Sequence, residues 1–267
     1  MKQLKMVVFD VDGTLYDLVR HEIPASCIAA LKEMKANGYL FVIATGRAHY
    51  GLGKALNDLN ADYILSMNGG VVVDHEGKVI SHHDFTKADV DRLNQFCTDN
   101  EAGLIWKFLD AMYIYQHPEK IDWLAGQMNS DIGRDPFVDC PLMNRHLRDD
   151  APQSASVHAP IEKVEQAFNE DDSIAFLRYS EDGFDVVPKG INKSVGLKDL
   201  MDYLHLSHDE VACIGDNYND LEMMEIAGTA IAMGNAIPEV KAKADFITTA
   251  SDQDGIANAL KYLGCIK

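Results

Sequence analysis

Three short apolar runs, Met6–Phe9, Leu40–Ala44 and Val211–Ile214, each end at a small polar cluster: Asp10 to Thr14, Thr45 to Arg47 and Gly215 to Asp220. Uninterrupted apolar runs of four or five residues are short for helices and read as strands buried on both faces, the kind found in parallel sheets. Between them apolar residues recur at helical spacing: Ile28, Leu31 and Met34 before a stop at Gly38, then Leu52, Leu56 and Leu59, then Leu221, Met224 and Ile226. Strand and helix alternate at both ends of the chain. The expected fold class is α/β, a doubly wound parallel sheet whose ligands lie outside the carboxyl ends of the strands.

The middle of the chain is patterned differently. Val71-Val72-Val73 and Val79-Ile80 flank Asp74-His75-Glu76-Gly77 as a hairpin would. Beyond it, Leu104-Ile105-Trp106 and Met112 to Tyr115 suggest paired strands, Ile161 to Phe168 a helix, and Ile174 to Leu177 another strand. The expected organisation is a core built from 1–81 and 184–267, interrupted by an inserted α+β domain over 82–183.

Composition narrows the function. The 267 residues carry 24 Lys plus Arg against 42 Asp plus Glu, a formal charge of −18. Such a field repels nucleic-acid phosphates and anionic lipid, so neither is an expected partner. A small anionic substrate survives this exclusion, because a bound metal inverts the local charge. Five widely spaced cysteines without a C-x-x-C pair indicate reduced thiols rather than disulfides or a zinc site. No run approaches the roughly 18 apolar residues of a membrane span, and the N-terminus has no export-signal pattern, so a cytoplasmic protein is expected, a monomer or weak homo-oligomer.

Asp10 and Asp12, two residues apart at a strand end, point to the same side. Two such carboxylates are costly together without a cation or a shared proton. An EF-hand would need Asp or Asn at the fifth position and Glu at the twelfth, where Thr14 and His21 stand. Asp252-Gln253-Asp254-Gly255 has the same letters with no apolar strand before it and reads as a helix N-cap. The cluster Gly215-Asp216-Asn217-Tyr218-Asn219-Asp220 taken alone would be an Asx-rich turn. Joined to Asp10 and Asp12 across a parallel sheet, it makes an all-oxygen pocket of the kind magnesium prefers.

Together these segments make the chain resemble the haloacid dehalogenase-superfamily phosphatases of the Cof type, which carry a larger α/β cap inserted after the third sheet strand. Four motifs stand in order: Asp10-Val11-Asp12-Gly13-Thr14, Ala44-Thr45-Gly46-Arg47, Lys193 within Gly190-Ile191-Asn192-Lys193, and Gly215-Asp216 with Asn219-Asp220. Asn68-Gly69-Gly70 and Asp254-Gly255-Ile256-Ala257 resemble the family's secondary elements. For the cap, only position and size match.

The resemblance implies a magnesium-dependent phosphatase of small phosphorylated metabolites, most plausibly sugar phosphates. Asp10 would be the nucleophile that becomes an aspartyl phosphate, and Asp12 the general acid and base. Magnesium would be held by Asp10, Asp216 and the main-chain carbonyl of Asp12. Thr45, the Gly46 N–H, Lys193 and Asn219 would bind phosphoryl oxygens. Asp220 is expected behind the metal ligands, while Arg47 and Asn68 are uncertain members of the site. Taken singly, Thr45 could merely cap a helix, Lys193 be a solvated charge and Arg47 pack at a domain edge. His82-His83 reads as exposed linker, and Arg145, Arg148 and Arg178 are the insertion's candidate specificity residues. A phosphomutase would share these motifs but transfer phosphate to sugar. A receiver-like regulatory protein would share the acidic pocket, in about half the length and without the insertion.

Overall fold

Met6–Asp10 (β1) is buried over all five residues and lies centrally in an eight-stranded sheet. Its apolar β-branched and aromatic residues suit a position with neighbours on both edges and cover on both faces. The computed structural model describes residues 3–121 and 136–267. They fall into two units, the first running to Thr45 and including Ala55–Ser81 and Asn192–Lys267, the second made of Gly46–Lys54 and His82–Ile191.

In the first unit β1 pairs in parallel with Leu40–Ala44 (β2) and, on its other edge, with Val211–Gly215 (β12). Tyr63–Ser66 (β3) continues the parallel run beyond β2, and Thr229–Ala232 (β13) and Phe246–Ile247 (β14) continue it beyond β12. Val71–Asp74 (β4) turns back antiparallel on β3 and Val79–His82 (β5) closes that edge, so the hairpin read from the valines is there. The parallel α/β sheet is as expected. The helix Ala25–Ala36 (α1) buries Leu31 and Met34, and Gly38 at φ +88° ends it.

One helix falls short. The leucines at 52, 56 and 59 predict a continuous helix, but the chain forms only a 3-10 turn at His49–Gly51 and a single turn, Lys54–Asn57 (α2). Gly53 at φ +83° and Asn60 at φ +54° interrupt the helical path, while Leu52 and Leu56 still bury. Periodicity reported the burial correctly and missed the break.

The second unit holds a six-stranded sheet, in spatial order Ile174–Arg178 (β10), Gly183–Pro188 (β11), Ser154–His158 (β9), Gly103–Lys107 (β6), Met112–Gln116 (β7) and Phe137–Asp139 (β8). All pairings are antiparallel except β7 with β8. Leu104 and Trp106 join a core with Val90, Leu93 and Phe96 of the helix Lys87–Asp99 (α3) and Val164 and Phe168 of the helix Ile161–Phe168 (α4). Ile105, between them in sequence, belongs to a separate cluster with Met112, Ile114, Ile121 and Phe137, as period-2 geometry requires. Tyr50 packs on that second cluster and donates its hydroxyl to the Phe108 carbonyl at 2.7 Å. Residues 46–54 therefore count with the second unit. The return to the first unit comes at Asn192 rather than 184, because β11 is held between β10 and β9. Residues 122–135 of the expected insertion lie outside the described residues. Among the described residues no helix is long and apolar enough to cross a membrane.

Candidate active site

Sheet register brings the polar clusters together. Asp10 stands beside Ala44, and Phe9 beside Ile214, so Asp10, Thr45 and Asp216 emerge from three adjacent strand ends. After Asp10 the chain turns sharply at Gly13, φ +97°, where a Cβ would sit 2.4 Å from Asp216 Oδ2. Only glycine allows that backbone and that approach. Thr14 then donates its hydroxyl to Asp216 Oδ1 at 2.8 Å. Asp12, half-buried, lies on this turn and forms a bridge with Tyr16.

Lys193 opens the helix Lys193–Leu204 (α5), whose N-cap, Asn192, accepts from the Ser194 N–H. Gly196 of this helix packs against Gly69; a Cβ on Gly196 would lie 2.9 Å from the Gly69 Cα and carbonyl oxygen, and one on Gly69 would lie 2.2 Å from the Asn192 carbonyl oxygen. The paired glycines let the start of α5 approach the β3–β4 turn closely. Lys193 is fully buried there, and its Nζ donates to Asp10 Oδ1 at 2.5 Å and to Asp220 Oδ1 at 2.6 Å. Asp220 Oδ2 accepts from the Asp216 and Asn217 N–H groups at 2.9 and 3.0 Å, the second bond closing a capping box with Asn217 around the 3-10 turn Tyr218–Asp220, which leads into the helix Leu221–Ile226 (α6).

Burial makes these charges interact strongly. The Asp10 carboxyl is held well above the usual range, first by burial and then by Asp220, with Lys193 pulling the other way. Burial also pushes Asp216 up to about 6, against the Thr14 hydrogen bond. Lys193 moves up because Asp10 and Asp220 together outweigh its burial. Three carboxylates and one ammonium leave a formal charge of −2 when all are ionised, the amount one divalent cation balances. Asp10, Asp216 and Asp220 each offer a carboxylate oxygen, and these oxygens lie within 4.8 Å of one another. An all-oxygen set of this size fits magnesium. Although Asp220 is within reach, its two oxygens already serve Lys193 and two amides, so it braces the cluster from behind.

The remaining candidates divide. The Thr45 N–H donates to Leu65, and the Thr45 carbonyl accepts from the Asn68 N–H at 2.9 Å. Asn68 is buried in the left-handed region between Met67 and Gly69, also at positive φ, and accepts at 3.4 Å from the Asn219 amide. Met67 and Asn68, two successive non-glycine residues of this kind, store strain, a feature that concentrates at functional turns. Gly46 and Arg47 fall with the second unit, where Arg47 Nη1 donates to the Leu52 carbonyl at 3.4 Å. Arg145 is committed: its guanidinium pairs with Asp150 through both Nη atoms and lies 4.2 Å over the Phe108 ring. Arg178 bonds the carbonyls of Ser180 and Glu181, Arg148 is exposed, and His82 pairs with Asp84. Asp254 does stand at the N-cap of the helix Gly255–Tyr262 (α7), but at φ +59° it makes no side-chain cap, which needs extended backbone. Sequence reading gave no role to Thr14, although it lies inside the first motif, nor to Asn235, whose amide donates to the Gly13 carbonyl at 2.8 Å.

Known proteins similar to this chain include several phosphatases. The haloacid dehalogenase-like hydrolase family pattern matches residues 7–260. The Bacillus subtilis protein named "Putative phosphatase YkrA" is 32% identical over 98% of this chain and 99% of its own length. Among solved structures, the phosphatase BT1666 of Bacteroides thetaiotaomicron superposes with a TM-score of 0.85 at 26% identity, covering 99% of this chain and 96% of that one. The subclass IIB sugar phosphatase BT4131 does so with a TM-score of 0.84 at 26% identity, over 98% of this chain and all of that one. With its acidic cluster at the carboxyl edge of a parallel sheet, the chain belongs to the haloacid dehalogenase-like hydrolases and is a phosphatase.

Proposed function

We propose that the protein is a magnesium-dependent phosphomonoesterase acting on small phosphorylated metabolites, sugar phosphates first among them, through an aspartyl phosphate on Asp10. The observation that carries this reading is the buried set Asp10, Asp216, Asp220 and Lys193, with its uncompensated formal charge of −2. Asp10, Asp216 and the carbonyl of Asp12 would hold magnesium, which supplies charge neutralisation for a carboxylate facing a phosphate dianion.

The chain's own residues do the rest. Asp10 attacks phosphorus, and the bond to the leaving oxygen breaks as the Asp10 ester forms. Lys193 orients Asp10 through Oδ1 and presents its charge to the phosphoryl oxygens. Thr45 and Asn219 bind those oxygens as well, with Asn68 steadying Asn219. Asp12 gives its proton to the departing alcohol and then takes one from the water that hydrolyses the ester, so it ends as it began. Because the first unit addresses only the phosphoryl end, choice among leaving groups is assigned to the second unit. The likeness to a sugar phosphatase at full coverage supports sugar phosphates as the substrate class.

Release of inorganic phosphate from a panel of sugar phosphates, nucleotides and phosphorylated cofactors tests this reading. Activity should be greatest on sugar phosphates, vanish in a chelator and return with magnesium. Undiminished hydrolysis in excess chelator, or transfer to sugar in place of water, contradicts it.

A further inference from the structure

Gly13 is the least constrained residue of the Asp10–Tyr16 turn. It has no Cβ, and at φ +97° the peptide between it and Thr14 is free to rotate unless something holds it. Two hydrogen bonds do so. The Thr14 N–H donates to the Val11 carbonyl at 3.2 Å, inside the turn. The Gly13 carbonyl accepts at 2.8 Å from Asn235 Nδ2, which comes from 222 residues further along the chain. A change in Gly13 ψ would turn the Asp12 side of the turn relative to Thr14, whose hydroxyl is bonded to Asp216.

The support behind Asn235 is itself fixed. The Met233 N–H donates to the Gly215 carbonyl and the Ile237 N–H to the Asp216 carbonyl, both at 3.0 Å, so the turn that carries Asn235 is tied to the strand end that carries Asp216. Gly234 N–H donates to Thr249, and a Cβ on Gly234 would meet the Ala250 nitrogen at 2.5 Å. The Asn235 Oδ1 accepts from the Ser251 N–H at 3.1 Å. Both halves of the Asn235 amide are thus used, one to hold the 249–255 loop and the other to hold Gly13.

We infer that Asn235 is a positioning residue for Asp12: by fixing the Gly13 carbonyl it keeps Asp12 aimed for proton transfer to the leaving group. The inference rests on the role proposed for Asp12. Asn235 is itself exposed, so the fold does not depend on its packing and its variants should remain folded.

Asn235→Asp keeps an acceptor for Ser251 but replaces the donor facing Gly13 with an oxygen, and Asn235→Ala removes both bonds. Turnover of each is compared on an alkyl phosphate, whose leaving group needs a proton, and on 4-nitrophenyl phosphate, whose leaving group does not. Both variants should lose roughly tenfold in kcat/KM on the alkyl ester, about the net worth of one hydrogen bond, and less than threefold on the aryl ester. Equal losses on the two esters, or none, overturn the inference. Asp12→Ala is measured alongside. If it shows the leaving-group dependence and the Asn235 variants do not, positioning by Asn235 is wrong and the role of Asp12 stands. If Asp12→Ala lacks it, the role of Asp12 fails and this inference falls with it.

Discussion

Lys193 Nζ and Asp220 Oδ1 lie 2.6 Å apart with neither side chain exposed to solvent. Breaking a pair taken so far from water is costly, although Lys193 keeps Asp10 Oδ1 as a second partner at 2.5 Å. Asp220 also carries the capping bonds to the Asp216 and Asn217 amides, so it secures the acidic loop as well as the lysine.

Asp220→Ala should therefore destabilise the protein by on the order of 1–3 kcal/mol, the cost of leaving the two loop amides unsatisfied, since Lys193 keeps Asp10. Asp220→Asn, which keeps an acceptor for the amides, should cost less. Denaturant unfolding of the two variants measures this. A loss below about 1 kcal/mol for the alanine variant would show that the acidic loop does not depend on Asp220.

Acid should relieve the metal-free site. Burial raises Asp10 and lifts Asp216 to about 6, both above the value of a carboxyl in an unfolded chain. Between roughly pH 4 and 6 the folded state then binds more protons than the unfolded one, so this cluster's contribution falls as pH rises through that window. Asp216→Asn removes one of the competing charges. In chelator its Tm relative to wild type should be higher at pH 7.5 than at pH 4.5, and magnesium should raise the wild-type Tm more at pH 7.5. A pH-independent Tm difference contradicts the charge balance derived for the site.

Gly196→Ala separates helix propensity from packing. In an exposed helix interior the change would gain about 1 kcal/mol. Here the new Cβ would meet the Gly69 backbone at 2.9 Å, so overpacking of about 1–3 kcal/mol should win and the variant should be less stable. Since Lys193 lies three residues earlier on the same helix, kcat should fall too. A stabilised variant with full turnover would mean that the approach of Gly69 to Gly196 is not needed.

Much of the sheet and of the acidic cluster was legible because both are written locally. An apolar run followed by Asp10 or Asp216 states a buried strand and its functional end in consecutive residues, and parallel pairing then sets those ends side by side. Features that depend on distant backbone were not legible. Gly53 breaks a helix that its leucines describe, Tyr50 ties residues 46–54 to the second unit, and Arg145 is consumed by Asp150 and the Phe108 ring. Asn235 had no local signal, since its partner is a carbonyl 222 residues away.

The central claim is a covalent phosphate on Asp10. Asp12→Ala should still expel nitrophenolate from 4-nitrophenyl phosphate in the first step but lack the base for the second. Rapid mixing should give a nitrophenol burst approaching one equivalent per chain. Acid-quenched protein should carry a matching phosphate on the peptide containing Asp10, and neither signal should appear when Asp10→Asn is added. A linear trace with no burst and no labelled peptide, at unchanged substrate affinity, would contradict the account.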